Sequence, residues 1–449
     1  MSVRLLVDNV STKISGDLDA NTVIGLSLSM TYKTQEYNGF TFVTVEHKLF
    51  NRVKQSFPTG LYSLAAQVLD EHDVEYDVVD NRAVPARQKS LKLHEVTPYE
   101  FQDQIIDDAI STQRFIIQVA TGGGKTVIAA AIFAKLNLPS IFVVHTGDLF
   151  EQSHDELYRM LKVPIGRIGG GECDIQRISV VMIQTIHSLL DKQYVPFDEV
   201  EKDEMKDDEV VKKSMLKNKA ALDYIKSVGC VIIDECHHLR SDSYVTVMKA
   251  CKASYFRGGL SATPFSGDGR DLILQAYAGK VVGKVSASFL IRHNYLVRPR
   301  IFYLQGTKNA TYKFSRNKYQ TIYKKYIVNS KYRNGLIVDC VQRLRELNKS
   351  VLITVTLKNH GKILLQMIKS AGIEAQFIYG GLDKMKRKAF IEQVRQGQLG
   401  VIIGTSLADE GLNIPALDSL ILAGGGKSPT RMVQRIGRVL RLSPKTGKT

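Results

Sequence analysis

Apolar residues recur along this chain in two rhythms. Short unbroken runs at Phe115–Val119, Ser140–Val144, Val180–Ile183 and Val228–Ile233 read as strands buried on both faces. Between them, Val127–Leu136 and Leu149–Leu161 carry apolar residues at helical spacing. Such βα alternation predicts a parallel sheet with helices on its faces. A second alternation begins near residue 295, with strands at Val351–Val355, Ala375–Tyr379, Gly400–Ile403 and Ser419–Leu422 and a helix at Gly361–Ser370. Residues 1–92 differ: Arg4–Val7, Phe40–Val45 and Val74–Val79 read as strands around a helix at Leu61–Asp70. Asn81-Arg-Ala-Val-Pro85 and the basic stretch Arg87 to Lys92 read as a linker. Asp191–Lys219, rich in Asp, Glu and Lys, reads as an exposed, partly helical excursion between strands. The expected layout is a small α+β domain over 1–92, an α/β domain over 93–292 holding the excursion at 191–219, and a second α/β domain over 293–449.

Composition narrows the picture only a little. A chain of 449 residues exceeds one ordinary core. Its 44% apolar and 24% charged residues are those of a soluble globular protein. No apolar run reaches the roughly 18 residues of a spanning helix, and Met1 to Val10 lacks a signal peptide, so cytoplasm is expected. The five cysteines form no C-x-x-C pair, which argues against a disulfide framework or zinc ribbon. Cys236, His237 and His238 leave a strand in diverging directions, so one shared ion is not expected. The net charge of +16 serves either a polyanionic partner or solubility alone, and the motifs must decide.

Three motifs carry chemistry. Thr121-Gly-Gly-Gly-Lys-Thr126 follows an apolar strand and precedes a helix. Its Gly124-Lys125-Thr126 fits the end of the phosphate-loop pattern, although Val119 stands where the first glycine belongs. Backbone N–H groups would cradle oxyanions, Lys125 would reach the β/γ-phosphates, and the Thr126 hydroxyl would meet Mg²⁺. Asp234-Glu-Cys-His237 places two carboxylates at the carboxyl end of a strand. Asp234 would hold Mg²⁺ through water, and Glu235 would polarise an attacking water. On a helix through Gln434-Arg-Ile-Gly-Arg-Val-Leu-Arg441, Arg438 and Arg441 share a face, with Arg435 one step earlier. These arginines would meet charge on the transferring phosphoryl group.

The whole set resembles the superfamily 2 helicases of the DExH type, with motifs in the family's order from about residue 95 to 442. Pro98-Tyr-Glu-Phe-Gln102 is similar to the adenine-reading glutamine motif, with Gln102 as reader. Ala120–Thr126 and Asp234–His237 resemble motifs I and II, and Ser261-Ala-Thr-Pro264 resembles motif III, which couples hydrolysis to movement. Val143-Val-His-Thr-Gly-Asp148 and Ile183-Gln-Thr-Ile186 resemble the strand-contacting motifs Ia and Ib. Gly404-Thr405 with Asp409-Glu-Gly-Leu-Asn413 resembles motif V, and Gln434–Arg441 resembles motif VI. The resemblance implies two RecA-like domains in tandem, with ATP and Mg²⁺ held in a cleft between them that closes and opens through the cycle. It implies catalytic roles for Lys125, Glu235, Arg438 and Arg441. Nucleotide contacts are implied for Gln102, Thr121, Gly122, Gly123, Gly124, Lys125, Thr126, Asp234, Glu410, Gly411, Gln434 and Arg435, with Thr126 and Asp234 on the metal. Nucleic-acid contacts are implied for His145, Thr146, Gln184, Thr185 and Thr405. Members usually continue into another strand beyond motif VI; this chain stops at Thr449, so its second sheet is expected to be minimal or clipped there.

The choice of nucleic acid rests on less. Asp-Glu-Cys-His is similar to the form found in DNA and restriction-type motors. Phe57-Pro-Thr-Gly-Leu61, followed by a helix, a strand and Asp80-Asn-Arg82, looks like the amino-terminal DNA-binding module of UvsW-like phage recombination helicases. That resemblance implies branched DNA as partner, fork regression and Holliday-junction branch migration as activities, replication, recombination or repair as setting, host cytoplasm as location, and a monomer. Ile301 to Lys349 holds eleven Lys or Arg, two acids and six tyrosines. Basic charge and aromatics suit phosphates and unpaired bases, with Lys324 and Lys325 as phosphate contacts. Tyr319, Tyr323 and Tyr326 equally have the spacing of a helix face packed on a core. An RNA helicase, or the motor subunit of a restriction-type system, uses the same engine.

Overall fold

The computed structural model describes residues 3–191, 208–265, 267, 269–304, 319–405 and 417–424. They fall into two compact units, Met1–Ala120 with Gly124–Val285, and Thr121–Gly123 with Ser286–Thr449.

The first unit opens with six strands: β1 (Val3–Val7), β2 (Ser11–Ser15), β3 (Thr31–Tyr37), β4 (Phe42–Lys48), β5 (Ser56–Pro58) and β6 (Tyr76–Asp80). Four of them form a sheet ordered β5-β2-β1-β6, while β3 and β4 make a separate antiparallel ribbon. Alternation decides the buried face: Val3, Leu5 and Val7 point inward while Arg4 is exposed. The helix Ala20–Ser29 starts where the Asp19 carboxylate accepts from the Asn21 and Thr22 N–H groups. The Phe57–Leu61 run becomes a seam. The Thr59 hydroxyl donates to the Asp8 carbonyl (2.7 Å) and accepts from Thr12 (3.1 Å). Gly60 lies so close to the Gln275 and Ala276 carbonyls of the helix Asp271–Ala278 that a Cβ would collide with them. One apolar core therefore runs unbroken from Leu5 and Leu61 to Leu274 and Ala276.

Eight further strands form the main sheet of this unit among the described residues: β7 (Arg114–Val119), β8 (Ser140–Val144), β9 (Ile165–Gly169), β10 (Glu172–Asp174), β11 (Ile178–Met182), β12 (Cys230–Asp234), β13 (Phe256–Ser261) and β14 (Lys280–Val285). Their order is β10-β9-β11-β8-β12-β13-β7-β14, and all but β10 run parallel. The expected strand Val180–Ile183 shifts toward the N-terminus. Ile183 instead opens the helix Ile183–Asp191, where it and Ile186 are buried at helical spacing. The basic linker is laid along the body: Leu91 N–H donates to the Ala134 carbonyl (2.9 Å), Asn137 to Lys89 O (2.7 Å), and Arg87 sits over the Phe256 ring. Of the charged excursion, residues 192–207 lie outside the described residues; the helix Asp208–Ser227 follows and buries Ala221, Leu222 and Ile225.

The second unit holds a parallel sheet of β15 (Val351–Thr354), β16 (Gln376–Ile378), β17 (Val401–Gly404) and β18 (Ser419–Leu422), ordered β16-β17-β15-β18. Its strands read as unbroken apolar runs because alternate residues enter different cores. Val351 and Ile353 pack with Val341, Leu364 and Ile368, whereas Leu352 packs with Ile378, Val394 and Leu399. The helix Tyr319–Tyr323 passes into a π-helical turn, Lys324–Val328; Tyr323 is buried and Tyr319 exposed. His360 is fully buried, its Nε2 3.0 Å from Asn334 Oδ1. Burial and the Arg333 charge push its pKa down to about 4.

No disulfide joins any of the five cysteines. Cys230, Cys236 and Cys251 are buried in the first unit, and burial pushes their thiols up. Cys173 and Cys340 are partly exposed. No helix among the described residues is long and apolar enough to cross a membrane.

Candidate nucleotide-binding site

β7, β13 and β12 are parallel neighbours, so their carboxyl ends open at one edge of the sheet. Val119 is the last, fully buried residue of β7, which accounts for the missing first glycine: the strand occupies that position. The loop turns through left-handed residues Gly122 (φ +88°) and Gly124 (φ +84°), and Gly124 then caps the helix Lys125–Leu136. N–H groups at this helix start and the positive dipole end suit an oxyanion. Gln102, in the helix Glu100–Thr112, is buried; its Oε1 accepts from Tyr99 N–H (2.9 Å). Its Nε2 lies where a Gly124 Cβ would stand, so the fold sets this glutamine against the last glycine of the loop.

At the end of β12, Glu235 takes a left-handed conformation (φ +48°), costly for a residue with a Cβ. The turn carries its carboxylate to Lys125, whose Nζ donates to Oε1 in an ion pair. The other oxygen, Oε2, accepts from the Ser261 hydroxyl at the end of β13 (3.2 Å) and lies 3.3 Å from His237 Nδ1. Ser261 Oγ in turn accepts from Thr263 N–H (3.2 Å). Asp234 is buried and accepts from Glu235 N–H at Oδ1 (3.0 Å).

Electrostatics drives the two adjacent carboxyls apart. Burial works against the charge of Glu235, but Lys125 and His237 outweigh it and hold this carboxyl far below the usual range. Burial also dominates at Asp234, and with the neighbouring Glu235 charge it raises that carboxyl despite Lys125. Burial alone would lower Lys125, yet Glu235 and Asp234 raise it. The site therefore holds a fixed ammonium, a firmly ionised carboxylate at Glu235 and a second carboxyl at Asp234 that burial disfavours as an anion. A divalent cation beside Asp234 would relieve that penalty. Mg²⁺ typically takes one or two protein oxygens beside phosphates and water, and Asp234 at the end of β12 and the Thr126 hydroxyl at the start of the helix Lys125–Leu136 are oxygens of that kind.

Other sequence-predicted residues take varied places. Thr146 caps the helix Gly147–Leu161, its hydroxyl accepting from Leu149 N–H (3.2 Å). Gln184 donates to the His145 carbonyl (2.8 Å), tying motif Ib to motif Ia. The His145 ring packs on His238 (4.4 Å between centroids), which packs on His237 (4.2 Å). Thr185 is half-buried in the helix Ile183–Asp191. Thr405 is buried just after β17, its N–H donating to Ile378 O (3.2 Å). Lys324 and Lys325 are exposed, Lys325 Nζ lying 5.3 Å from the Tyr326 ring centre. Glu410, Gly411, Gln434, Arg435, Arg438 and Arg441 lie outside the described residues. Sequence reasoning assigned no chemistry to His237 or Ser261, although both stand inside quoted motifs. The Ser261 link to Glu235 arises only when β12 and β13 pair, whereas the His237 contact forms within the turn after β12.

Two family models match parts of the chain. Residues 95–266 match the family described as type III restriction enzyme, res subunit, and residues 334–443 match the helicase conserved C-terminal domain. The chain is 25% identical over 413 residues to the DNA 3'-5' translocase XPB2 of Sulfurisphaera tokodaii, covering 84% of each chain. It is 23% identical over 361 residues to the ATP-dependent DNA helicase uvsW of Enterobacteria phage T4, covering 77% of this chain and 66% of that one. It spans about half the length of other relatives that it matches. In fold it resembles a fragment of a putative HsdR subunit of a type I restriction enzyme from Vibrio vulnificus, with a TM-score of 0.56 at 15% identity over 93% of this chain and 85% of that one. The two parallel α/β sheets are thus RecA-like.

Proposed function

The chain is a superfamily 2 helicase resembling the UvsW-like group, and on that premise we propose that it is an ATP-dependent DNA helicase or translocase that remodels branched DNA. ATP dependence comes with the helicase domains. DNA as the track, and forks and four-way junctions as substrates, are the finer reading. It is supported by the two relatives described as acting on DNA and by the N-terminal sheet fused to the first motor sheet at Gly60. In this reading residues 1–92 contact DNA, while 93–292 and 293–449 are the two halves of the motor.

The observation that carries the reading is the ion pair between Lys125 and Glu235. Triphosphate oxygens set against Lys125 compete with Glu235 for the same ammonium. Binding then exchanges one anion for another and releases the Glu235 carboxylate to accept a proton from the attacking water. His237 and Ser261 keep that carboxylate aimed while its partner changes. Mg²⁺, held by Thr126 and Asp234, would supply charge neutralisation on the phosphate oxygens. Arg438 and Arg441 would complete the charge complement, with Gln102 reading adenine.

The decisive experiment compares ATP hydrolysis with forked DNA, four-way junctions, duplex, single strands and RNA, and follows labelled strands of the junctions. Stimulation by branched DNA with migrated or reannealed products is expected. Stimulation by RNA alone would overturn the DNA reading. A second reading, the motor of a restriction-type system, is favoured by the family match over 95–266; it predicts duplex-stimulated hydrolysis without junction products.

A further inference from the structure

A cavity of about 370 Å³ opens at the seam of the first unit, walled by β6 at the edge of the N-terminal sheet and β14 at the edge of the motor sheet. Its volume falls in the range of small-ligand sites, about 300–1,000 Å³. It lies at the opposite end of the motor sheet from the glycine loop. Arg114 opens β7 and Lys280 opens β14, its parallel neighbour, whereas the loop follows the carboxyl end of β7.

The cavity carries more positive charge than its acids answer. Asp80 is the one acid among the described lining residues, and Arg82 holds it through Nε (2.9 Å) and Nη2 (2.7 Å). Arg114 and Lys280 also line the cavity, and neither joins an ion pair among the described residues. Lys280 is exposed, while Arg114 is partly buried. The Arg114 guanidinium donates from Nη2 to the Asn9 carbonyl, and its buried Nε has no hydrogen-bond partner among the described residues. Its stem is clamped by Gly279 (φ +95°), where a Cβ would collide with Arg114 Cβ and carbonyl oxygen. Burial, with the nearby charges of Arg257 and Arg82, pushes the Arg114 pKa well below the ordinary arginine value. A sequestered cation without a counter-charge is costly, and an anion in the cavity would offset that cost.

The remaining wall suits an oxyanion. Tyr62 and Ser63 open the ten-residue helix Tyr62–Glu71, which no side chain caps and whose first turn holds no acid. Its positive dipole end faces the same charge need. The Ser63 hydroxyl makes no hydrogen bond among the described residues, so its proton is available to an acceptor. One carboxylate would answer only one of the two uncompensated cations. A phosphate monoester carries about 1.5–2 negative charges at pH 7 and three acceptor oxygens, and so answers both.

We propose that this seam cavity binds a phosphate monoester, held by Arg114, Lys280 and Ser63. Two sources share that chemistry: a free phosphate compound, and the phosphorylated end of a nucleic-acid strand. The second source rests on the helicase reading; the first does not.

The test acetylates the lysines of the full chain and reads Lys280 by mass spectrometry, with the exposed Lys54 as reference. Inorganic phosphate, compared with chloride at equal ionic strength, should slow Lys280 about tenfold when present at about ten times its Kd, and leave Lys54 unchanged. Arg114→Met should abolish this protection, and Ser63→Ala, which keeps both cations, should weaken it. Duplexes with phosphate or hydroxyl groups at their strand ends separate the sources. Stronger protection by the phosphorylated duplex assigns the strand end; equal effects of the two duplexes, with protection by inorganic phosphate, assign a free compound. Lys280 modified at one rate in phosphate and chloride, or protected equally in folded Arg114→Met, would overturn the assignment. A chain that binds neither DNA nor RNA yet shows phosphate protection would overturn the helicase reading alone.

Discussion

Lys125 and Glu235 stand 110 residues apart in sequence and meet in an ion pair at the carboxyl edge of the first motor sheet. Each restrains the other. The lysine keeps a buried carboxylate ionised, and that carboxylate, with Asp234, keeps a buried lysine protonated. Removing one partner leaves the other with its charge under-compensated. Lys125→Ala should therefore abolish ATP turnover and also destabilise the first unit by about 3 kcal/mol. Glu235→Gln should lower kcat by about 10²–10⁴-fold, as loss of a general base does. In denaturant unfolding, the double variant should lose less than the sum of the two single ones; strict additivity would mean that the pair does not couple.

His360 gives the second unit a pH response. Its folded pKa of about 4 lies below the unfolded value of about 6.5, so the unfolded chain binds the extra proton between them. Stability is complete above about pH 6.5 and is lost as pH falls toward 4, by up to about 3 kcal/mol. Unfolding of the second unit followed from pH 7.5 to 4 should show this slope, and His360→Gln should flatten it.

Gly60→Ala tests the seam. The added methyl would meet two backbone carbonyls of the helix Asp271–Ala278, which cannot swing aside as a side chain can. A loss of about 1–3 kcal/mol is expected from overpacking, read as a lower Tm. An unchanged Tm would show that the N-terminal sheet and the motor sheet are not fused at this contact.

Gln102 bridges the helix start at Tyr99 and the glycine loop. Gln102→Ala should raise KM for ATP and shrink the preference for ATP over GTP, measured as the ratio of kcat/KM values. A variant with intact preference would remove Gln102 from adenine reading.

Much of this was legible from pattern, and the exceptions have physical causes. β8 and β12 sit inside the sheet with both faces covered, so their apolar runs stand out. β13, Phe-Arg-Gly-Gly-Leu-Ser, is equally buried but hidden by three residues. Arg257 is buried because its guanidinium donates to the carbonyls of Met248, Cys251 and Ser254 around the end of the helix Asp242–Ala250. Gly258 and Gly259 are dictated by the Phe115 ring and by Cys236, which leave no room for a Cβ. No window of sequence displays those tertiary demands. Of the ribbon, β4 shows in the strand read over Phe40–Val45, whereas β3, Thr-Tyr-Lys-Thr-Gln-Glu-Tyr, escapes for the opposite reason, since its polar residues hide the alternation. At the site, Lys125, Asp234 and Glu235 could be read from spacing to the strand ends. The Ser261 contact to Glu235 needed the pairing of β12 with β13, and the His237 contact needed the left-handed turn at Glu235.

The distribution of the thiols has a practical corollary. Three of the five sulfurs are shut inside the first unit, and the two that solvent reaches, Cys173 and Cys340, belong one to each unit. The unaltered chain therefore comes with one dye-attachment point per half. A maleimide donor–acceptor pair placed there would report any nucleotide-driven change in their separation without engineering a single codon.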